Sequence, residues 1–471
     1  MRTRSLLVAC SVAAALVTGV PARAENLIEV YQAAVRGDPV LREAEARRMA
    51  ALEAKPQARG LLFPQADVTG QYASRSGDST ALFLRQNDDG SVALAQSDQS
   101  AESDFWNYEA RVTQSLFRWD QWQALKRADA TVAVAEANYR AAQQNLLVRV
   151  STAYFDVLAA EDTLAAAQAT LEALSRQLEQ ADKRFEVGLI AITDVQEARA
   201  AHDSATAGVI AAKRTLATTQ EALRELTNET YTTLAKPAEQ MPLNQPEPAN
   251  EQGWVDRALE DNLSVIAARL ETEVAARDVK VARAGHFPTV ELFATYNEFD
   301  SDATQTNNGV TQPADATQTE DMVGVQVTVP IFSGGVTQSR VRESVYLQRA
   351  SREKLEGTMR SAERETRDAY LGVLAEKARV QALAQAVKSS QTALEATEAG
   401  FEVGTRTTVD VLAARRTLFE AQRDYARSRY DYLINIVRLE SAAGGLVQDD
   451  LAAINTFLTA PTTLPVVRPK E

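Results

Sequence analysis

The chain has little of what several common functional sites require. It contains one cysteine and two histidines among 471 residues, so a zinc site built from cysteine and histidine ligands is excluded. Its 50 Lys and Arg are outnumbered by 64 Asp and Glu, which gives a formal charge of −14. Proteins that bind nucleic acid neutralise phosphates with a basic excess. We therefore expect no nucleic acid partner.

Recognisable catalytic motifs are also missing from the sequence. It has no nucleophile–base pair, glycine-rich phosphate loop or metal-ligand spacing of the kind that supports catalysis. The sequence therefore predicts a protein that is not an enzyme and that needs no cofactor.

Long hydrophobic runs are scarce as well. After residue 24, no stretch reaches the ~18 unbroken apolar residues that a membrane-spanning helix needs, so a bilayer could be entered only by strands. At the start, two arginines precede an apolar stretch from Leu6 to Val20, and Ala22-Arg23-Ala24 has the small residues of a cleavage site. Residues 1–24 are predicted to be a signal peptide that directs export. Lipidation of Cys10, within this segment, is the alternative fate of the leader.

The rest of the chain contains one pattern twice. Phe185-Glu186-Val187-Gly188 recurs as Phe401-Glu402-Val403-Gly404, and Asp194-Val195 recurs as Asp410-Val411, each time 216 residues later. Constant spacing over a long stretch indicates a duplicated structural unit. We predict repeats over residues 25–227 and 251–444, a proline-rich linker at 228–250, and a C-terminal segment at 445–471.

Each repeat contains a long proline-free segment of helical composition, near residues 119–185 and 336–401. If continuous, each helix would be about 100 Å long, which is longer than the core of a globular domain. Apolar residues recur every seven positions along these segments and along those that follow them, which is typical of coiled-coil packing. The sequence therefore predicts two long helical hairpins, each turning at Val-Gly.

Other segments alternate apolar and polar residues. They predict two short strands in each repeat, near residues 65–76, 103–116, 289–299 and 322–331. Strands with one apolar face, joined by long polar loops, are typical of an outer-membrane barrel. A β-sandwich with one wet face is the alternative. Since four strands cannot close a barrel around a channel, identical copies would have to complete it.

Aromatic residues gather at the helix-proximal ends of the predicted strands. An aromatic ring is favoured at a bilayer interface, where its apolar body and polar edge meet lipid and water. For each residue taken singly, packing in the core of a helix–strand junction is the alternative. The residues are Phe63, Phe117, Trp119, Trp122, Phe287 and Phe332.

Together these features resemble the TolC-type outer-membrane efflux and secretion channels. The similarity covers essentially the whole chain after residue 24 and includes Val-Gly-Leu-Ile-Ala-Ile-Thr-Asp-Val-Gln at 187–196, Val-Gly-Thr-Arg-Thr-Thr-Val-Asp-Val-Leu at 403–412 and Tyr-Asp-Tyr-Leu-Ile-Asn at 430–435. It implies a mainly α-helical fold with a membrane β-barrel. In a homotrimer, three chains would give four strands each to one barrel, and their coiled-coil hairpins would form a tunnel through the periplasm.

The resemblance also implies a function and partners. The protein would be the passive, gated exit duct of a tripartite efflux pump or type I secretion system, surrounded by outer-membrane lipid. It would dock a periplasmic adaptor (membrane fusion) protein and an inner-membrane RND or ABC transporter. An equatorial belt would come from residues 228–250 and 445–471. The alternative function is a periplasmic coiled-coil adaptor or scaffold without a pore, which would have no need for four alternating strands.

Roles for residues at the hairpin turns follow from the same resemblance. The adaptor would contact Val187, Gly188, Leu189, Val403, Gly404 and Thr405, and a periplasmic gate would contain Thr193, Asp194, Phe401, Arg406 and Asp410. Phe401 stands where the family has a gate tyrosine, and Ala413 where it has a second ring aspartate, so we expect a looser gate than the family type. For Asp194 and Asp410, stabilisation of a helix N-terminus is the alternative role.

Overall fold

The computed structural model describes residues 25–86, 88, 90–231, 233–238, 241–307 and 309–459. The predicted signal peptide and residues 460–471 of the predicted C-terminal segment lie outside the described residues. The described chain divides into two compact units. The first contains the residues up to Ala44, Tyr139–Val265 and the residues from Met359 onward; the second contains Glu45–Asn138 and Ile266–Thr358.

The described residues form ten helices and seven strands. The helices are α1 Leu27–Gly37, α2 Pro39–Leu52, α3 Ala54–Gly60, α4 Trp119–Glu186, α5 Ile192–Thr227, α6 Glu251–Asp261, α7 Leu263–Ala284, α8 Val336–Glu402, α9 Thr408–Ala442 and α10 Gln448–Asn455. The strands are β1 Gln65–Gln86, β2 Val92–Phe117, β3 Lys236–Pro237, β4 Thr289–Asn307, β5 Val310–Pro313, β6 Ala316–Thr328 and β7 Leu458–Thr459.

The two long helices are continuous and nearly equal in length. Helix α4 has 68 residues and α8 has 67, and each ends one residue beyond the predicted end. Gly188 and Gly404 follow with φ of 76° and 78°, a backbone conformation that a Cβ atom would strain. The chain then returns in α5 and α9, so the prediction of helical hairpins that turn at Val-Gly is confirmed.

The first unit has a continuous hydrophobic core where α1, α4, α9 and α10 pack. Its largest fully buried side chains include Tyr154, Phe155, Trp254 and Tyr432. The Tyr154 and Phe155 rings meet edge to face with centroids 5.5 Å apart, an arrangement that aromatic quadrupoles favour. Bulky rings thus supply the buried area that the many alanines of the helical seams do not.

The linker and the C-terminal segment come together in this unit. Strand β3 of the linker pairs with β7, so that Lys236 lies opposite Thr459. The Tyr432 hydroxyl on α9 donates to the Asn244 carbonyl at 2.8 Å. Lys236 also reaches the Asp162 carboxylate on α4 at 2.7 Å. These contacts fasten the linker to the long helices.

A buried ion pair joins α4 to the junction between α1 and α2. Asp38 is only 1% exposed, and the Arg149 guanidinium donates to its two carboxylate oxygens at 3.1 and 2.6 Å. One of these oxygens also accepts from the Leu41 N–H at 2.9 Å, which stabilises the start of α2. Asp38 therefore serves as both a helix cap and the buried member of an ion pair.

The second unit contains an open antiparallel sheet. β1 pairs with β2, β2 with β4, and β4 with both β5 and β6. Within the described residues, β1 and β6 each have one partner strand, so both have a free edge. Apolar side chains such as Val68, Val323 and Val327 are exposed on these strands. A β-sandwich would bury such a face, so the sandwich alternative does not fit.

The strands are longer than predicted, which corrects the sequence-based bounds. β1 continues to Gln86 and β2 begins at Val92, whereas the prediction ended and began them near residues 76 and 103; β4 likewise reaches Asn307. A short strand, β5, was not predicted at all. The extra residues are mostly polar, and hydrogen bonding between strands needs no apolar face. Polar composition therefore indicated loops where the backbone continues to pair.

None of the helices in the described ranges is long and apolar enough to cross a membrane.

Candidate functional site

The predicted gate acids cap the helices that follow the two turns. The Asp194 carboxylate accepts from the Ala191 N–H at 3.3 Å. The Asp410 carboxylate accepts from the Thr407 N–H at 2.9 Å and from its hydroxyl at 3.0 Å, and the Thr407 oxygen accepts from the Asp410 N–H at 3.2 Å. The latter arrangement is a capping box. Both acids therefore fill the helix-stabilising role in the single chain.

The surroundings of Asp410 keep it charged. Hydrogen bonds from the Thr407 N–H and hydroxyl, together with the nearby Arg406 charge, lower the pKa of the Asp410 carboxyl below its ordinary value. A lowered pKa means that the carboxylate is ionised at neutral pH. The second turn thus carries a fixed negative charge beside a positive one.

Arg406 lies beside Asp410 but is not joined to Asp194. In the described part of the chain, Arg406 and Asp194 form no ion pair with each other, although the sequence grouped them. The methylene carbons of Arg406 fold over Gly400, where an added Cβ would lie 2.8 Å from Arg406 Cγ. Thr193 is exposed beside Asp194. The Arg406 guanidinium thus lies at the second turn without that carboxylate as its partner.

The residues predicted to contact an adaptor all lie at the two turns. Val187, Leu189 and Val403 have exposed side chains, and Gly188 and Gly404 supply the positive φ described above. The Thr405 hydroxyl donates to the Gly400 carbonyl at 3.0 Å and so closes the second turn. Each turn consequently presents apolar side chains to its surroundings.

Phe401 contacts a residue that sequence reasoning missed. The Arg184 guanidinium carbon, on α4, lies 5.1 Å from the centroid of the Phe401 ring, on α8. This is a cation–π contact between the two hairpins. The available signal was a break in the repeat, because Gly400 occupies the position equivalent to Arg184.

A second missed feature is a pair of equivalent ion pairs, one within each hairpin. Asp182 on α4 lies 3.8 Å from Arg199 on α5, and Glu398 on α8 lies 2.6 Å from Arg415 on α9. Both members are 216 residues from their counterparts. The signal in the sequence was that an acid and an arginine recur at the same spacing of 216 residues as the rest of the repeat.

The predicted interface aromatics lie at one end of the sheet. Each lies within five residues of the start or the end of a long strand, on the side where the chain connects that strand to a helix. All six side chains are exposed, Phe332 by 87%, so burial in a junction core does not explain them. The Trp119 and Phe287 ring centroids are 6.4 Å apart. A bilayer interface remains the predicted role of these aromatics.

Over the described ranges, no group of three or more His, Cys, Asp or Glu residues could hold a metal ion.

Comparison with known proteins places this arrangement in a family. The family model described as "Outer membrane efflux protein" matches residues 30–229 and 254–445. The chain belongs to this family. The two matched segments fall on the two halves that the sequence pattern separates.

Relatives with established names support the same assignment. The chain is 36% identical to the outer membrane protein TolC of Escherichia coli K12 over 445 residues, which cover 94% of the chain and 86% of TolC. It is 35% identical to TolC of Vibrio cholerae over 92% of the chain and 94% of that protein. It is also 26% identical to the alkaline protease secretion protein AprF of Pseudomonas aeruginosa over 91% of the chain and 86% of AprF.

Solved structures share the fold. The outer membrane channel CmeC of Campylobacter jejuni aligns with a TM-score of 0.70 at 18% identity, covering 92% of this chain and 90% of CmeC. The outer membrane protein VceC of Vibrio cholerae aligns with a TM-score of 0.68 at 19% identity, covering 89% and 96% of the two chains.

Family, relatives and fold agree on one class of protein. The chain is an outer-membrane channel protein of the class that serves efflux and type I secretion, and it is not an enzyme. The predicted resemblance is thereby confirmed, and the alternative of a periplasmic scaffold without a pore is wrong.

Proposed function

We propose that three copies of this chain form one gated duct through the outer membrane and periplasm. The observation that carries the proposal is the open sheet with two free edges and an exposed apolar face. Unpaired backbone groups in lipid cost several kcal/mol each, so edge β1 of one copy would pair with edge β6 of the next. Four long strands from each of three copies give a twelve-stranded barrel, wide enough to enclose a channel.

The same proposal assigns the remaining segments. Residues 1–24 would direct export and then be removed, and the equatorial belt would be built from residues 228–250 and 445–471. The pairing of β3 with β7 supports this assignment, because it joins those two segments. The exposed aromatics Phe63, Phe117, Trp119, Trp122, Phe287 and Phe332 would lie at the membrane interface on the periplasmic side.

The duct would receive its cargo from other proteins. A periplasmic adaptor would contact the apolar turns at residues 187–189 and 403–405, and it would connect the duct to an inner-membrane RND or ABC transporter. The exposed side chains of both turns support this docking site. Relatives named for protease secretion and for efflux indicate that either proteins or small molecules could be the cargo class.

The gate would lie at the same turns, on the axis of the three copies. Arg406 has no ion-pair partner in the described part of its own chain, so its guanidinium is available to a carboxylate of a neighbouring copy, such as Asp194. Arginine can bind a carboxylate through two parallel hydrogen bonds. Such links would hold the tunnel closed until docking replaces them.

Replacement of Arg406 by serine tests this gate. We expect the Arg406→Ser channel to have a higher single-channel conductance in planar bilayers than the unmodified channel, because the closing links are lost. Arg416→Ser is the matched control, since Arg416 is also an exposed arginine but lies within α9 and pairs with Glu420 one turn away. Equal conductance of Arg406→Ser and the unmodified channel, with intact trimers, would contradict the gate.

A further inference from the structure

One cation–π contact joins the two hairpins beside their turns. Arg184 lies in the last turn of α4 and Phe401 in the last turn of α8, with the guanidinium carbon 5.1 Å from the ring centroid. Both side chains are half-buried. Arg184 has no ion-pair partner within the described residues. Its charge is thus directed to the aromatic ring and not to a carboxylate.

The two repeats have diverged at these positions. The equivalents of Arg184 and Phe185 are Gly400 and Phe401. Phe185 is 41% exposed, whereas Phe401 packs against the apolar cluster that contains Leu394 and Val411. One hairpin therefore supplies the cation and the other supplies a ring that is held in place by its own core. A duplicated pair with identical roles would not produce this asymmetry.

In each hairpin, an ion pair close to the turn connects the two helices. The Asp182–Arg199 and Glu398–Arg415 ion pairs connect the two helices of the first and second hairpin, respectively. Apolar clusters around Val195 and Val411 lie next to these ion pairs. Each hairpin end can therefore move as a unit. Separation of the two hairpins at their turns would have to break the contact between Arg184 and Phe401.

We propose that Arg184 is a latch residue, which holds the first hairpin to the second through the face of Phe401 and so favours the closed tunnel. This inference rests on the proposed gate at the hairpin turns. The latch needs no hydroxyl group, which is consistent with phenylalanine at position 401. A cation–π contact at an exposed or half-buried site shifts an equilibrium by about two- to fivefold. Three such contacts in a trimer would favour closure on the order of ten- to a hundredfold.

The test is the open fraction of single channels formed by the full-length trimer in planar bilayers. Arg184→Gln removes the charge and retains most of the side-chain length, so we expect at least a tenfold rise in the ratio of open to closed time. Arg176→Gln is the matched control, because Arg176 lies on the same helix, its side chain is 77% exposed and it pairs with Glu172 on that helix. Equal open fractions in Arg184→Gln and the unmodified trimer would overturn the latch.

A second variant separates the latch from simple loss of packing. Phe401→Leu retains an apolar side chain against Leu394 and Val411 but removes the aromatic face, so it should open the channel as Arg184→Gln does. The double variant should open no further than either single variant, because both remove one interaction. Phe401→Tyr retains the ring and should stay latched. Effects that add in the double variant would overturn the latch.

Comparison with Arg406→Ser distinguishes the latch from the gate. If Arg406→Ser opens the channel and Arg184→Gln does not, the gate stands and the latch is wrong. If neither substitution opens intact, heat-resistant trimers, both the gate and the latch are wrong. If both do, each contact contributes to closure.

Discussion

Replacing Arg149 with leucine is expected to lower the free energy of unfolding by about 3–5 kcal/mol. The reason is the position of Asp38, which is 1% exposed and takes both guanidinium hydrogen bonds from Arg149. Without the guanidinium, the carboxylate stays buried with only backbone donors. Thermal unfolding of the purified protein in detergent, followed by helical circular dichroism at pH 7, measures the change.

A double variant supplies the control for this prediction. Asp38→Asn in the Arg149→Leu background removes the buried charge and keeps an acceptor for the Leu41 N–H, so it should recover a large part of the lost stability. Recovery would assign the loss to the unpaired charge and not to the missing side-chain volume. Arg149→Leu protein as stable as the unmodified protein would contradict the account of this ion pair.

The pH dependence has a defined sign. Burial alone would raise the pKa of the Asp38 carboxyl, but the hydrogen bonds from Arg149 and from the Leu41 N–H, with the guanidinium charge, outweigh burial and lower it. A carboxyl with a lowered pKa stabilises the fold above its unfolded-state pKa of about 3.9, and this stabilisation is lost as pH falls through the folded-state value. The difference between the unmodified protein and Arg149→Leu should therefore shrink in acid below about pH 4.

Gly444→Ala is expected to have the second large effect, a loss of about 3 kcal/mol or more. Gly444 has a φ of 79°, and an added Cβ would lie 2.2 Å from the Asp261 carbonyl oxygen. The atoms nearest to the added Cβ belong to the backbone of Asp261 and Asn262, so they cannot rotate away as a side chain could. The Gly444 carbonyl also accepts from the Gln144 side chain at 2.9 Å, and a shifted backbone would lose this bond.

The control for Gly444→Ala is another glycine-to-alanine change in the first unit. Gly208 lies within α5, and nothing would lie within 4 Å of its added Cβ. Gly208→Ala should therefore leave stability unchanged or raise it by up to about 1 kcal/mol, because alanine is the better helix former. Equal melting temperatures for the two variants would show that the close approach of Gly444 to Asp261 is not a constraint.

The helices were predictable because their stabilisation is periodic. A seven-residue repeat over many turns, ended by Val-Gly, fixed α4 and α8 to within one residue at their C-terminal ends. Strand length was not predictable in the same way. The outer halves of β1 and β2 mix polar residues with short apolar runs such as Leu82-Phe83-Leu84, so they show no alternation of apolar and polar faces. The paired residues 77–86 and 92–102 were consequently predicted to belong to a loop.

In the candidate site, too, local features could be predicted from the sequence, whereas contacts between the two repeats could not. Capping by Asp194 and Asp410 was weighed from the sequence, because an acid in the first turn of a helix is a local signal. The contact between Arg184 and Phe401 joins residues in different repeats, and heptad periodicity within one hairpin carries no information about the other. Arg406 was predicted to meet Asp194, but the described single chain does not join them.

We propose that one chain cannot close its own sheet and that three chains complete the channel. Native mass spectrometry of the detergent-solubilised, full-length protein tests it most directly. The account predicts a complex of three identical chains, in which the free edges of β1 and β6 are paired. A stable monomer as the dominant species in a mild detergent would contradict it.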